Sequence, residues 1–300
     1  MSSSPAKIAE PAGPRWSGVV ARWGIWLPLA CGIMAAAPAL ARELWFDEAL
    51  TLTNFMLPLS PGEIYTHYTI PNNQMVYTML LKLWDGCYPG LLDWVSFWRL
   101  LSLAAALAAL ALLFRLRRRL DANHPWPALW VLSAFALSGV FAIYATALRG
   151  YAVSWFWVAL ALYGAWRIFH GPRGAWGWGL YIAAALLAVG TVPTNLLALG
   201  AVVIYALPWS RKDFLKDGRL WLLAMVPPLA LLLFYGPIWR DFAHTFTLNE
   251  GFAGRLSALA VIYGAIVSVF GLLLLFCWRR AWMRDWRVMA RLIVWLLPAL

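Results

Sequence analysis

The segment WVSFWRLLSLAAALAALALLFRLRRRL (residues 94–120) decides the class of this chain. From Trp94 to Phe114 its side chains are apolar apart from Ser96, Arg99 and Ser102. At about 1.5 Å per residue such a run matches the roughly 30 Å of a bilayer's hydrocarbon core. Four arginines, Arg115, Arg117, Arg118 and Arg119, close it, and a basic end of this kind belongs on the cytoplasmic side. A transmembrane strand would be about ten residues of alternating polarity, and there is no alternation here.

Further apolar runs lie on both sides of it, at about 24–41, 126–145, 150–167, 175–192, 193–209, 220–239 and 256–277, and another begins near residue 292. The last stops at Leu300, too soon to cross, so the natural protein is expected to continue. With 63% hydrophobic and 16% aromatic residues, 21 Trp and a mean hydropathy of +0.70, the composition excludes an ordinary soluble domain. The expected fold class is an all-α polytopic membrane protein. Residues 1–23, polar, Pro-containing and basic, read as a disordered cytoplasmic tail, and 24–300 as the transmembrane domain. Ala39-Leu40-Ala41 imitates a signal-peptidase site, but the run before it is long enough to be retained as a span.

A net charge of +11 invites a nucleic-acid reading. With the N-terminus inside, however, 18 of the 24 Lys and Arg fall in cytoplasmic segments, leaving Arg42, Lys82, Arg99, Arg149, Arg240 and Arg255 on the other side. That is the positive-inside asymmetry, and it accounts for the basic balance without nucleic acid. Cys31, Cys87 and Cys277 are too dispersed for a disulfide frame or a Zn site.

Most connections are short turns; the exception is the extracytoplasmic stretch 42–93, whose length marks a functional loop. It holds six acids: Glu43, Asp47, Glu48, Glu63, Asp85 and Asp93. Residues 48–55 and 73–84 are expected as short helices lying in the interface plane, as a lid or floor.

Within the loop, Trp45-Phe46-Asp47-Glu48-Ala49 sets two adjacent carboxylates at the membrane boundary. Asp47 reads equally as the N-cap of a juxtamembrane helix and as a functional acid. Neighbours on a helix point about 100° apart, so Asp47 and Glu48 are not expected to chelate one ion; one acts at the site and the other supports it or caps. Arg149 is either a snorkelling side chain or, with its fork of donors, a holder of phosphate at headgroup depth. Lys82 and Arg99 have weaker claims on that role, and snorkelling is the preferred reading for both. Asn72-Asn73-Gln74 is either a turn before a helix or a row of amides for sugar hydroxyls. His67, between Tyr65 and Tyr68, is a lone loop histidine that could serve as a base or ligand. No His, Cys and carboxylate spacing describes a metal cage. There is no Walker-type loop, no GxGxxG after a strand and no DxD, so a water-soluble activated donor has no evident home. A group transferred on the outer face would come from a donor carried in the membrane.

The chain resembles the GT-C superfamily of glycosyltransferases that use lipid-linked sugars, the class of protein O-mannosyltransferases and bacterial lipid A aminoarabinose transferases. The likeness covers about residues 24–210. It rests on Trp45-Phe46-Asp47-Glu48-Ala49 after the first span, Pro71-Asn72-Asn73-Gln74-Met75-Val76-Tyr77 running into Leu80-Leu81-Lys82-Leu83-Trp84, Trp98-Arg99-Leu100 in the second span, and Leu148-Arg149-Gly150-Tyr151 at the fourth. The resemblance implies a GT-C-type bundle in the bacterial inner (plasma) membrane. It implies sugar transfer from a polyprenyl-phosphate donor to a hydroxyl acceptor on lipid, glycan or protein. Asp47 would be the general base with Glu48 beside it. Arg149, Lys82 and Tyr151 would hold the donor phosphate, and Asn72, Asn73, Gln74 and His67 the sugar or acceptor. No cofactor is required, although some relatives use a divalent cation. Two departures stand out: Gln74 occupies a place where the family commonly has His or His-Pro, and Ala147-Leu148 precede the arginine where an acid is common. The competing class is a transporter or lipid flippase, for which the Val226-Pro227-Pro228-Leu229 break in the seventh span is the best sign.

The topology has a direct test. A thiol introduced as Glu63→Cys should react with an impermeant reagent from the outer face, and one introduced as Arg118→Cys only after permeabilisation; the reverse pattern would invert the assignment.

Overall fold

A computed structural model describes residues 19, 22–66, 73–120, 125–170, 174–206 and 217–238. Most of the N-terminal tail, His67, Asn72 and the expected spans at 256–277 and beyond 292 lie outside the described residues. Among those described, all regular structure is helical: α1 (Trp26–Leu40), α2 (Phe46–Thr51) continuing as a π-helical turn (Leu52–Met56), α3 (Pro61–Thr66), α4 (Met75–Asp85), α5 (Trp94–Leu120), α6 (Pro125–Ala136), α7 (Gly139–Ala145), α8 (Tyr151–His170), α9 (Gly174–Thr191), α10 (Asn195–Ala206) and α11 (Gly218–Tyr235).

Among the described residues three stretches, Trp94–Leu116, Tyr151–His170 and Gly218–Tyr235, are long and apolar enough to cross a membrane, and the α6–α7 pair makes a fourth if it counts as one bent span. The expected span 126–145 is therefore not straight: its halves meet at 65°. Ser138 lies at the bend. Its hydroxyl donates to Phe135 O (2.6 Å) at the end of α6, and its oxygen accepts from Phe141 N (3.1 Å) at the start of α7. One side chain thus closes one helix and caps the next. The expected break at Pro227-Pro228, by contrast, is absent: both prolines lie inside a continuous α11. Proline at 227 has no N–H for the carbonyl four residues back, and the buried Tyr181 hydroxyl of α9 donates to that carbonyl, Leu223 O, at 2.9 Å.

Among the described residues packing forms three apolar clusters. One joins α8, α9, α10 and α11 through residues such as Ala165, Tyr181, Ala188, Leu199 and Leu223. A second joins α1, α5, α6 and α7 through Ala36, Ala106, Leu110, Leu132 and Phe141. The third seats the 42–93 segment: Leu52, Met56, Tyr77 and Leu81 pack against Phe97, Trp98, Leu148 and Val153. The α4 helix is thus docked on the bundle, with Met75, Tyr77 and Leu81 fully buried; one face of it meets protein because its apolar residues recur at helical spacing. α2 starts two residues earlier than expected, at Phe46.

Between α8 and α9 the backbones come close because two glycines face one another. A Cβ on Gly164 would lie 2.7 Å from Tyr181 N and 3.0 Å from Gly177 O, and one on Gly177 would lie 2.9 Å from Ile168 N. Small residues at a helix interface permit the close packing on which association in lipid depends. Gly164→Ala should therefore push the helices apart and destabilise by about 1–3 kcal/mol, while Gly179→Ala, with nothing within 4 Å of its Cβ, should not. Thermal unfolding in detergent compares the two, and equal melting temperatures would refute the close contact.

Candidate functional site

The link between α7 and α8, residues 146–150, is non-helical, so its backbone groups need partners from elsewhere. Three side chains from three other segments provide them. Ser102 Oγ of α5 donates to Ala147 O at 2.7 Å. Leu148 N donates to Glu48 Oε1 of α2 at 2.8 Å. Gly150 N donates to Gln74 Oε1, just ahead of α4. Gly150 has no room for a side chain: a Cβ would run into Thr191 and lie 3.1 Å from both Gln74 Oε1 and Tyr77 Cβ. Arg149 is therefore held from both sides, and its Nη1 donates to Asp47 Oδ2 across 102 residues of sequence. The Arg149 Cζ lies 5.4 Å from the Tyr151 ring centroid, and that ring in turn meets Tyr144 edge-on at 5.0 Å.

The two adjacent acids have different surroundings. Trp45 is the N-cap of α2, so Asp47 is its second residue and Glu48 its third. It is Glu48 that serves the helix start, accepting from Trp45 N at 3.1 Å. Asp47 therefore does not fill the N-cap position; its side chain is 55% exposed, against 13% for Arg149. Glu48 is fully buried and accepts four donors: Arg42 Nη2 (3.1 Å) and Leu148 N on Oε1, and Arg99 Nη2 (3.0 Å) and Trp45 N on Oε2. A carboxylate has about four lone-pair sites, so none is left for a substrate proton or a metal ion. Burial pushes its pKa up, but the N–H bonds from Leu148 and Trp45 and the charge of Arg99 outweigh that and hold the carboxyl below its usual value.

Arg99, buried near the start of α5, does not snorkel. Besides Glu48 it donates to Leu40 O (2.9 Å), Arg42 O and Glu43 O (3.1 Å), gathering the carbonyls where α1 ends and the loop begins. Arg42 lies over the Trp45 ring at 4.1 Å. Lys82 is engaged away from the Asp47–Arg149 pair, its Nζ donating to Met56 O at 2.8 Å. Asn73 is buried and donates to Ile64 O at 2.8 Å. The structure thus brings together Asp47, Glu48, Arg149, Tyr151 and Gln74, and uses Lys82 and Asn73 to tie loop segments. Sequence reasoning missed Ser102 and Tyr77, whose hydroxyls lie 3.2 Å apart under the link. A Ser in an apolar span gives no signal of its own, whereas Arg99, a charge within a span, did.

Among the described residues no three His, Cys, Asp or Glu side chains gather into a metal site. Glu48 is saturated, and Asp47 faces a guanidinium. No family model, curated protein or solved structure matches the chain. What the geometry offers is an exposed carboxylate able to take a proton, beside a fixed positive charge able to hold an anion.

Glu48→Gln leaves two arginines facing a neutral amide and should destabilise by about 3–5 kcal/mol. The sign with pH follows from the lowered pKa. The stabilisation from Glu48 is complete above its ordinary value of 4.5 and is lost as pH falls through the lower folded value. Denaturation in detergent should show this acid-side loss in the parent and not in Glu48→Gln; identical pH profiles would refute the assignment.

Proposed function

We propose that this chain is a hexosyl- or pentosyltransferase that moves a sugar from a polyprenyl-phosphate donor to a hydroxyl acceptor on the extracytoplasmic face of the membrane. The observation that carries the reading is the meeting of Asp47 with Arg149, two residues singled out for complementary roles and lying 102 positions apart. Support comes also from the convergence of the segments that resemble GT-C enzymes. Glu48, Gln74, Arg99 and the 148–151 stretch all join the network that holds this pair.

In this mechanism the acceptor hydroxyl gives its proton to Asp47 as its oxygen bonds to the anomeric carbon. The bond from that carbon to the phosphate oxygen breaks on the opposite side, and the lipid phosphate leaves as an anion facing Arg149. One displacement inverts the anomeric centre. Without donor, Arg149 is paired with Asp47; an arriving phosphate competes for the guanidinium and frees the carboxylate to act as base. Glu48 keeps both in place and exchanges no proton with substrate. A transporter reading would draw on the bent α6–α7 pair, but residues 126–143 contain no acid or base to bind an ion there.

Asp47→Asn keeps the size of the side chain and removes its basicity, and should lower turnover by about 10²–10⁴-fold with folding retained. Arg149→Ala should weaken donor binding by the worth of a charge-assisted bond, about 1.5–3 kcal/mol, and Arg149→Lys should restore part of it. The assay is release of lipid phosphate from a panel of polyprenyl-phosphate sugars by purified protein. A folded Asn variant retaining more than about a tenth of the parent rate would fall outside the range for a lost base and remove Asp47 from that role.

A further inference from the structure

We infer that Gln74 is a positioning residue for Arg149, setting the guanidinium against Asp47 through the Gly150 backbone, and not a contact for sugar or acceptor; this rests on the reading of Arg149 as the phosphate-holding group. Gln74 is only 8% exposed. Its amide oxygen is spent on Gly150 N, the residue directly after Arg149. Its backbone is as constrained as its side chain, because Gln74 O accepts both Thr78 N (2.9 Å) and Thr78 Oγ1 (3.2 Å) and so begins α4.

The same helix reaches the link on the other side of Arg149. The Tyr77 hydroxyl lies 3.2 Å from Ser102 Oγ, which donates to Ala147 O. Arg149 is thus bracketed, Gly150 by Gln74 directly and Ala147 by Tyr77 through Ser102. Because Met75, Tyr77 and Leu81 are fully buried, α4 is a rigid template, and the absent Cβ at Gly150 lets the link lie flush against it. An acceptor oxygen on a side chain of this length is what the unpaired N–H of a non-helical link requires. The chemistry Gln74 supplies at this position is therefore backbone satisfaction.

The test uses purified full-length protein in detergent and two probes, a sugar-free polyprenyl phosphate and the same lipid bearing a hexose. Gln74→Met keeps the length and removes the acceptor. It should weaken both probes by the same factor, about three- to tenfold, the worth of one hydrogen bond, measured below a melting temperature that the unpaired Gly150 N–H lowers. A sugar contact would weaken the hexosyl lipid alone, and a purely structural or acceptor-side role would weaken neither; either result overturns the inference while leaving the proposed reaction intact. If the parent protein binds neither probe, the phosphate role of Arg149 fails first and the inference falls with it. Should Gln74→Met not fold, Ser102→Ala loosens the link on the opposite side of Arg149. Unchanged binding of sugar-free polyprenyl phosphate by that variant overturns the inference equally.

Discussion

The buried ion pair of Glu48 with Arg99 is the contact on which this end of the bundle depends. Two charges withdrawn from water cost several kcal/mol each, and the cost is offset only when the geometry is good and the remaining lone pairs and protons are satisfied. Here the carboxylate meets four donors. The guanidinium takes carbonyls from residues 40, 42 and 43 besides. The exit of α1, the start of α2, the upper turn of α5 and the link before α8 are therefore fixed to one another by a single polar centre.

The geometry of the exposed pair follows from it. On α2, side chains at successive positions differ by about 100°, so turning Glu48 inward turns Asp47 outward. On the link, tying Leu148 N to Glu48 and Gly150 N to Gln74 leaves Arg149 between two fixed points. Asp47 and Arg149 meet at the rim because their neighbours are held below it. The exposed pair is thus partly open while its support is buried, an arrangement that holds the geometry of a pair at the surface.

Much of this was legible in the sequence where residue type alone carries the information. The runs around 94–114, 150–167 and 220–239 correspond to α5, α8 and α11 because apolar length is a property of the run itself. Asp47 and Arg149 were each legible as candidates from their residue type and place in the chain, but their contact with one another was not. Which of Asp47 and Glu48 turns inward could not be read there, because that depends on Arg99 and Leu148 arriving from distant parts of the chain. Gln74, Asn73 and Lys82 looked like ligands for a substrate because their side chains are polar. Their partners are backbone atoms of Gly150, Ile64 and Met56, and a backbone atom leaves no mark in the sequence. The bend in the expected span 126–145 left no mark for a similar reason: at it, one Ser hydroxyl bonds to both helices at once.

The Tyr181 hydroxyl on Leu223 O bears on how the bundle is built. A carbonyl left open by proline within lipid costs several kcal/mol, so α11 entering the bilayer alone would carry that penalty. Docking against α9 removes it, since the missing donor is borne by another helix. In the chain α9 precedes α11, so the donor is made before the helix that uses it. Pro227 thereby ties α11 to its neighbour, because the donor that its missing N–H leaves wanting comes from α9.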